Sequence, residues 1–241
     1  MIMSTGRDDA ARRGAFASMV AHELRTPLTA AFGALEMMSR ATPASAVDAH
    51  RHATLIGLAH RNTQRLLRIV EDCLDLEAAT DGRLTLERTR IDPGEVVSLG
   101  VDGALSAREQ TGVDVMLQLD AKLAVTGDRE RLGRVIAHLV QNAVTFAPAG
   151  TVVTVTTSDA PERDAVRFTV DDHGPGVEPD QLSTLFQRFD VREAAGRRRV
   201  GGLGIGLAFV RTITQALGGR VGAMIEPGRT RFWVEIPAGA A

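Results

Sequence analysis

Residues 16–29 read FASMVAHELRTPLT and decide how the N-terminal part of the chain folds. In a helix with about 100° between successive residues, Val20 and Leu24 share one face, and His22 lies about 200° from both. The apolar face continues past Leu24 at steps of three and four, through Leu28, Ala31, Leu35 and Met38. This spacing predicts an amphipathic helix over residues 8–40 that presents His22 opposite its apolar stripe.

A second apolar stripe with helical spacing follows an interruption at Pro43. Its members are Ile56, Ala59, Thr63, Leu66, Val70 and Cys73. The turn signal Asp81-Gly82 predicts where this second helix ends. Two such helices leave a wide apolar face in water, so we expect the hairpin to pair with a second copy into a four-helix bundle. Residues 1–81 are therefore predicted to form the dimerisation domain of a homodimer.

Residues 82–241 have a different sequence pattern, which predicts short strands alternating with helices. We predict strands over 113–119, 151–157, 165–171 and 231–236, and helices over 93–108, 128–146 and 204–217. This order of elements is typical of an α/β sandwich. The predicted fold class is α plus α/β, a helical hairpin followed by an α/β sandwich domain.

The composition excludes several classes of function. The chain has 241 residues, of which 44% are hydrophobic, as expected for a globular protein. A net charge of −2 and 4% aromatic residues argue against nucleic acid as a partner, which would need basic surfaces and stacking rings. The single cysteine, Cys73, excludes an internal disulfide. No run approaches the roughly 18 apolar residues of a membrane span, so we expect a cytoplasmic chain without direct membrane contact, belonging to a full-length protein that can still be membrane-anchored.

Residues 16–29 resemble the phosphoacceptor motif, the H-box, of bacterial sensor histidine kinases, and the match includes His-Glu-x-x-Thr-Pro over 22–27. The resemblance implies that His22 is the phosphorylated residue. A carboxylate near an imidazole can hold the Nδ1 proton and leave Nε2 as the nucleophile, so Glu23 is predicted to be the general base or orienting residue. Thr26 returns to within about 40° of His22, where its hydroxyl could align a water. The resemblance implies a phosphatase role for Thr26.

Residues 171–177, DDHGPGV, follow an apolar stretch and resemble the first glycine box of the ATPase domains shared by gyrase, heat-shock chaperones and histidine kinases. The resemblance implies that Asp172 accepts a hydrogen bond from the adenine amine. We expect Gly174 and Gly176 to supply positive φ angles and to let the backbone pass close to the base, which a Cβ would prevent. Taken alone, the pattern also fits an ordinary strand-to-turn loop.

A second glycine box, GGLGIGL at residues 201–207, opens a predicted helix, whose free N–H groups can hold phosphate oxygens. The candidate phosphate-binding positions are Gly202, Gly204 and Gly206. The pattern fits neither a dinucleotide fingerprint, which follows a strand directly, nor a P-loop, which needs Gly-Lys-Ser/Thr. By the same resemblance, residues 185–189 correspond to the F-box and residues 191–200 to a lid over ATP.

Residues 132–148 resemble the N-box helix, in which Asn142 would coordinate Mg²⁺ through its amide oxygen, the hard ligand that this ion prefers. The chain departs from the family pattern twice: His138 replaces a first asparagine, and Thr145 replaces a phosphate-binding lysine or arginine. Both positions remain candidates for the nucleotide site, and the departures put the catalytic rate in doubt rather than the fold. Thr230, in a Gly-x-Thr turn before the last strand, completes the candidate set.

These motifs predict a homodimeric autokinase that depends on ATP and Mg²⁺. His22 would attack the γ-phosphorus of ATP, and the phosphoryl group would pass to an aspartate in the receiver domain of a response regulator, with phosphatase activity as an accompanying expectation. The alternative, motivated by His138 and Thr145, is a degenerate kinase that acts as a regulator-binding scaffold or phosphatase. A third reading, an ATPase that drives clamp closure without phosphotransfer, leaves the H-box unexplained.

Overall fold

The computed structural model describes residues 5–40, 46–176, 185–186 and 205–239. The chain divides into two compact units, Met1–Leu74 and Asp75–Ala241. Their boundary falls in the last turns of the second helix, whereas we predicted a domain boundary after that helix, at residue 81. The boundary at residue 81 stays a prediction.

The first unit is built from two long helices, α1 (Thr5–Arg40) and the larger part of α2 (Ala46–Thr80). Helix α1 continues through Pro27. The two helices pack through small and aliphatic side chains, in the set Ala34, Met38, Leu55, Leu58 and Ala59. Because a late part of α1 meets an early part of α2, the two helices run antiparallel, and the predicted helical hairpin is confirmed.

A row of large apolar side chains stays exposed on this hairpin. Its members are Leu28, Phe32, Leu35, Ile56, Leu67, Val70 and Leu74. Leu28 and Leu35 belong to the apolar stripe predicted for α1, and packing within a single chain does not bury them. None of the described helices is long and apolar enough to cross a bilayer.

The second unit contains a five-stranded sheet with the order β2-β4-β5-β7-β6. The strands are β2 (Asp114–Leu119), β4 (Val152–Ala160), β5 (Ala165–Asp172), β6 (Arg220–Glu226) and β7 (Arg229–Pro237). Strands β2 and β4 are parallel, and the other neighbours are antiparallel. Two short strands, β1 (Thr89–Ile91) and β3 (Val125–Gly127), form a separate antiparallel pair.

Three helices cover one face of this sheet: α3 (Pro93–Thr111), α4 (Arg129–Phe146) and α5 (Ile205–Ala216). Asp92 caps α3 through the N–H of Gly94, and Asp128 caps α4 through the N–H of Arg131. The core lies between helices and sheet, where side chains such as Leu139, Phe168 and Phe209 are fully buried. The predicted α/β sandwich is therefore confirmed.

All four predicted strands and all three predicted helices of this unit are present, with ends that differ by a few residues. Strands β1, β3 and β6 were not predicted. The first two are only three residues long, too short for a periodic pattern. Strand β6 contains Gly222, which weakens a strand signal. The structure explains this glycine, because a Cβ there would overlap the indole ring of Trp233 on β7.

Candidate functional site

The candidate phosphoacceptor lies on the outer surface of α1. The His22 side chain is 58% exposed, as the helical geometry predicted. Its Nδ1 atom lies 3.6 Å from Oε1 of Glu23, whose side chain is only 15% exposed. This distance exceeds a hydrogen bond, but the carboxylate lies on the Nδ1 side of the ring. The opposite ring nitrogen, Nε2, is therefore the candidate nucleophile.

The Glu23 carboxylate is held by both helices of the hairpin. Its second oxygen lies 3.6 Å from a guanidinium nitrogen of Arg65 on α2. Sequence reasoning did not identify Arg65, because the pairing depends on the register between the two helices. The Arg65 guanidinium thus helps to place the Glu23 carboxylate next to the imidazole.

One turn after His22, Thr26 turns its hydroxyl toward the helix backbone. The Thr26 Oγ1 donates to the carbonyl oxygen of His22 over 3.5 Å. The next residue, Pro27, has no N–H to donate to the carbonyl of Glu23. The backbone of the phosphoacceptor turn is therefore bonded differently from an ordinary helical turn.

In the second unit, β5 ends at Asp172, whose side chain is only 2% exposed. One carboxylate oxygen accepts a hydrogen bond from the Gly174 N–H over 2.6 Å. Burial raises the pKa of Asp172 to about 6, and this effect outweighs the lowering by the Gly174 N–H. A buried carboxylate at a loop is a good acceptor for a donor brought by a ligand.

Both glycines of the first box lie where a side chain would clash with neighbouring atoms. A Cβ on Gly174 would lie 2.6 Å from the Asp172 carboxylate and 3.3 Å from the carbonyl oxygen of Phe146. Gly176 has the expected positive φ, +75°, and a Cβ there would lie 2.7 Å from Ile225. The positive φ expected at Gly174 is wrong, because that glycine is needed for space alone. The loop therefore lies against the end of α4 and against β6, and only glycine fits both positions.

Thr230 joins this group through strand pairing. Asp172 on β5 pairs directly with Thr230 on β7, and directly paired residues present their side chains on the same face. Both residues are buried. The structure thus brings Thr230, which is distant in sequence, beside Asp172 and the loop that contains Gly174 and Gly176.

Helix α4 carries the remaining N-box candidates. Asn142 follows His138 by one helical turn and is half-buried. The Thr145 hydroxyl donates to the carbonyl oxygen of Gln141 over 2.6 Å, so it bonds to its own helix. The His138 ring packs against Phe209 of α5, with 5.2 Å between ring centres. His138 therefore joins α4 to α5.

The second glycine box is described only at its end. Helix α5 begins at Ile205, so the prediction that this box opens a helix is confirmed. A Cβ on Gly206 would lie 3.0 Å from Nδ1 of His138, so a larger residue would press on that ring. Gly202 and Gly204, the lid at 191–200 and residues 187–189 of the F-box lie outside the described residues.

Two charged clusters were missed by sequence reasoning. Asp75, in the last turns of α2, accepts hydrogen bonds from the Arg131 guanidinium at 2.9 and 3.1 Å and also contacts Arg134 on α4. Asp171, next to Asp172, binds two arginines of β7. Both clusters join residues that are distant in sequence, so local patterns carry no signal for them.

Two family models match the chain. The His Kinase A (phospho-acceptor) domain matches residues 12–82, and the histidine kinase-, DNA gyrase B- and HSP90-like ATPase matches residues 127–240. These matches contain the two sets of candidate residues described above.

Similar proteins include sensor kinases from several bacteria. The probable sensor histidine kinase TcrY of Mycobacterium tuberculosis is 34% identical over 92% of this chain, which spans 45% of that protein. The signal transduction histidine-protein kinase BaeS of Escherichia coli is 31% identical over 98% of this chain and 49% of its own length. The chain thus spans about half the length of these two relatives.

Solved structures agree in fold. Full-length ShkA, crystallised with AMPPNP, is 26% identical over 95% of this chain and 46% of its own length, with a TM-score of 0.62. The Acinetobacter baumannii histidine kinase AdeS is 24% identical over 91% of this chain and 98% of the solved chain, with a TM-score of 0.61, a likeness of fold. With a phosphoacceptor hairpin and an ATPase domain in succession, this chain belongs to the histidine kinases and forms their catalytic core.

Proposed function

We propose that this chain phosphorylates its own His22 with ATP and that the phosphoryl group then passes to an aspartate of a response regulator. The observation that carries the proposal is the exposed His22 imidazole with the Glu23 carboxylate on its Nδ1 side, 3.6 Å away. A histidine kept for packing would be buried, and it would not need a carboxylate held by Arg65 from the other helix.

The reaction needs a neutral imidazole with a lone pair on the accessible nitrogen. Glu23 favours a proton on Nδ1, which leaves the lone pair on Nε2. A bond forms between Nε2 and the γ-phosphorus as the bond from that phosphorus to the bridging oxygen breaks, and ADP leaves with the electron pair. Glu23 stabilises the positive charge that develops on the ring and accepts the Nδ1 proton.

ATP is bound by the second unit, where Asp172 and Thr230 receive the adenine. The buried Asp172 carboxylate accepts from the exocyclic amine, and the glycine loop lets the base approach the backbone. The free N–H groups in the first turn of α5 receive phosphate oxygens.

Mg²⁺ would be held by the amide oxygen of Asn142 together with phosphate oxygens of the nucleotide. The donor chemistry fits, because Mg²⁺ prefers oxygen ligands and keeps few protein ligands at nucleotide sites. Among the described residues there is no cluster of three or more His, Cys, Asp or Glu side chains that could hold a metal without the nucleotide. The ion would neutralise charge on the phosphates.

A homodimer would bury the apolar row on the hairpin. Exposed apolar side chains on one helical surface mark a protein interface rather than a solvated face. A second hairpin placed against Leu28, Leu35 and Val70 would complete a four-helix bundle.

Incubation of the full chain with γ-labelled ATP and Mg²⁺ tests the proposal. We expect label that is stable in base and lost in acid, as for a phosphorylated histidine. The variant His22→Gln should lose the label while it keeps nucleotide binding. His60→Gln, which changes another exposed histidine on α2, is the matched control and should keep the label. Label retained in His22→Gln would refute the assignment.

A weakened kinase that acts mainly as a phosphatase or scaffold is the second candidate. Two observations favour it: Thr145 bonds to its own helix, and His138 packs against Phe209. Neither residue then supplies the positive charge that a lysine or arginine would bring to the γ-phosphate. Absence of label, with loss of phosphate from a phosphorylated regulator in the presence of the chain, would favour this candidate.

A further inference from the structure

A charged cluster lies on the face of the sheet opposite the helices. Asp171 accepts hydrogen bonds from Arg229 at 2.8 and 2.7 Å and from Arg231 at 2.9 and 2.7 Å. Arg229 donates from two nitrogens to both carboxylate oxygens, which is the geometry of the stronger arginine–carboxylate pairs. Arg231 donates from two nitrogens to one oxygen, Oδ2. Asp171 is buried, although both arginines keep access to solvent. We call these three residues the Asp171 clamp.

The clamp lies directly behind the proposed adenine pair. Asp171 pairs with Arg231 across β5 and β7, and the next pair in the register is Asp172 with Thr230. Successive residues of a strand point to opposite faces. Asp172 and Thr230 therefore face the helices. Asp171 and its two arginines belong to the same ends of β5 and β7, but their side chains lie on the other face of the sheet.

The clamp also lies beside the turn that joins β6 to β7. Strands β6 and β7 are joined by a tight turn in which Gly228 has a φ of +73°, and β6 is an edge strand. Arg229, the first residue of β7, donates hydrogen bonds to Asp171 on β5. Thr230 is paired with Asp172 on β5 and with Ile225 on β6, so loss of the Asp171 carboxylate would not detach this end of β7. It would leave two arginines without their shared carboxylate on either side of Thr230.

We propose that Asp171 is a positioning residue for nucleotide recognition, which holds Thr230 in place opposite Asp172 by binding Arg229 and Arg231. The inference rests on the proposed adenine roles of Asp172 and Thr230. It assigns to the outer face of the sheet a part in ATP affinity, although none of the three clamp residues touches the ligand.

The clamp also sets the charge around Asp172. Although burial raises the pKa of Asp171, hydrogen bonds from Arg229 and Arg231 outweigh it and hold that pKa below its usual value. The ionised Asp171 in turn raises the pKa of Asp172, whereas His173 lowers it. The charge around Asp172 thus includes Asp171 and His173, its neighbours in sequence, and Arg229 and Arg231 on β7.

Binding of AMP-PNP with Mg²⁺ to the full chain, measured by calorimetry from pH 5 to 8, tests the inference. At pH 7.5, above the pKa of about 6, Asp172 of the wild-type chain is mostly ionised, so a difference in affinity at that pH reports mainly position. We expect Asp171→Asn to lower it about tenfold, the equivalent of about one good hydrogen bond. The phosphates of AMP-PNP can also titrate in this pH range. Dividing the affinity of each variant by that of Asp172→Asn at the same pH removes their contribution.

The pH profile separates a positioning role from a general loss of structure. Asp171→Asn removes a negative charge, so the pH at which affinity falls should move down. Arg229→Gln changes an exposed arginine, so this variant should fold normally. Because the charge of Asp171 is then less neutralised, the pH at which affinity falls should move up. The affinity at pH 7.5 should fall. A change in stability alone would move neither midpoint.

Glu235→Gln is the matched control. Glu235 is buried on the same face of β7 and accepts from Arg167 at 3.0 and 2.5 Å, but it lies at the other end of the strand pair. The Glu235→Gln variant should be less stable than the wild type, but it should keep the wild-type affinity and the same pH at which affinity falls. Affinity within twofold of wild type in both Asp171→Asn and Arg229→Gln would overturn the inference. Unchanged affinity in Asp172→Asn would instead overturn the adenine assignment on which it rests.

Discussion

Replacement of Asp75 by alanine tests how the ATP-binding unit is stabilised. Asp75 is buried, and it accepts from Arg131 and Arg134 at the start of α4. Hydrogen bonding to Asp75 is also the largest cause of the raised pKa of Arg131. The change would leave two arginines close together without the carboxylate that neutralises them.

The magnitude follows from burial. Removal of one partner from a fully buried ion pair costs about 3–5 kcal/mol. The Arg131 and Arg134 side chains are 26% and 18% exposed, and Arg131 keeps a second partner, Asp128, at 2.6 Å. We therefore expect a loss of about 2–3 kcal/mol in the free energy of unfolding of this unit.

Urea denaturation followed by circular dichroism measures this loss. The control is Asp81→Ala, which removes an exposed partner of Arg83 and should cost less than about 1 kcal/mol. A fragment that begins at residue 75 should likewise be more stable than one that begins at residue 82. A loss below about 1 kcal/mol for Asp75→Ala would refute the reasoning from burial.

Three further predictions concern the site. Since a raised pKa of about 6 means that Asp172 loses its charge as the pH falls through that value, ATP affinity should be full above pH 6 and decline below it; titration calorimetry should show a flatter profile for Asp172→Asn. Thr26→Ala should keep autophosphorylation and lose phosphatase activity toward the regulator; dephosphorylation at the original rate would exclude a water-positioning role. Thr145→Lys should raise the single-turnover rate of phosphorylation, by up to about 10²–10³-fold if no other cation serves the γ-phosphate.

Periodic patterns were sufficient for the helical hairpin. The stripes in α1 and α2 depend only on spacing, which sequence displays directly. Sequence alone could not say which stripe residues pack within one chain. Ala31 and Ala34 are buried in the hairpin, while Leu28 and Leu35 stay exposed, because that division depends on the rotation of one helix against the other.

Pairing between distant segments was the part that sequence could not supply. Strand β6 was missed because a glycine such as Gly222 is more typical of a loop. The structure shows that the indole ring of Trp233 lies over Gly222 and leaves no room for a side chain there. Asp171 belongs to the first glycine box, but its contacts with Arg229 and Arg231 depend on the register between β5 and β7. Motifs predicted the candidate ligand-binding residues, and the structure adds the residues that contact them.

Location of the phosphoryl group tests the central claim most directly. The full chain, incubated with ATP and Mg²⁺, can be digested at basic pH and sequenced by mass spectrometry, with ³¹P NMR to assign the ring nitrogen. We predict a single phosphorylated histidine, His22, modified on Nε2, because the Glu23 carboxylate lies on the Nδ1 side. Phosphate on Nδ1, or on another residue with His22 unmodified, would contradict the account.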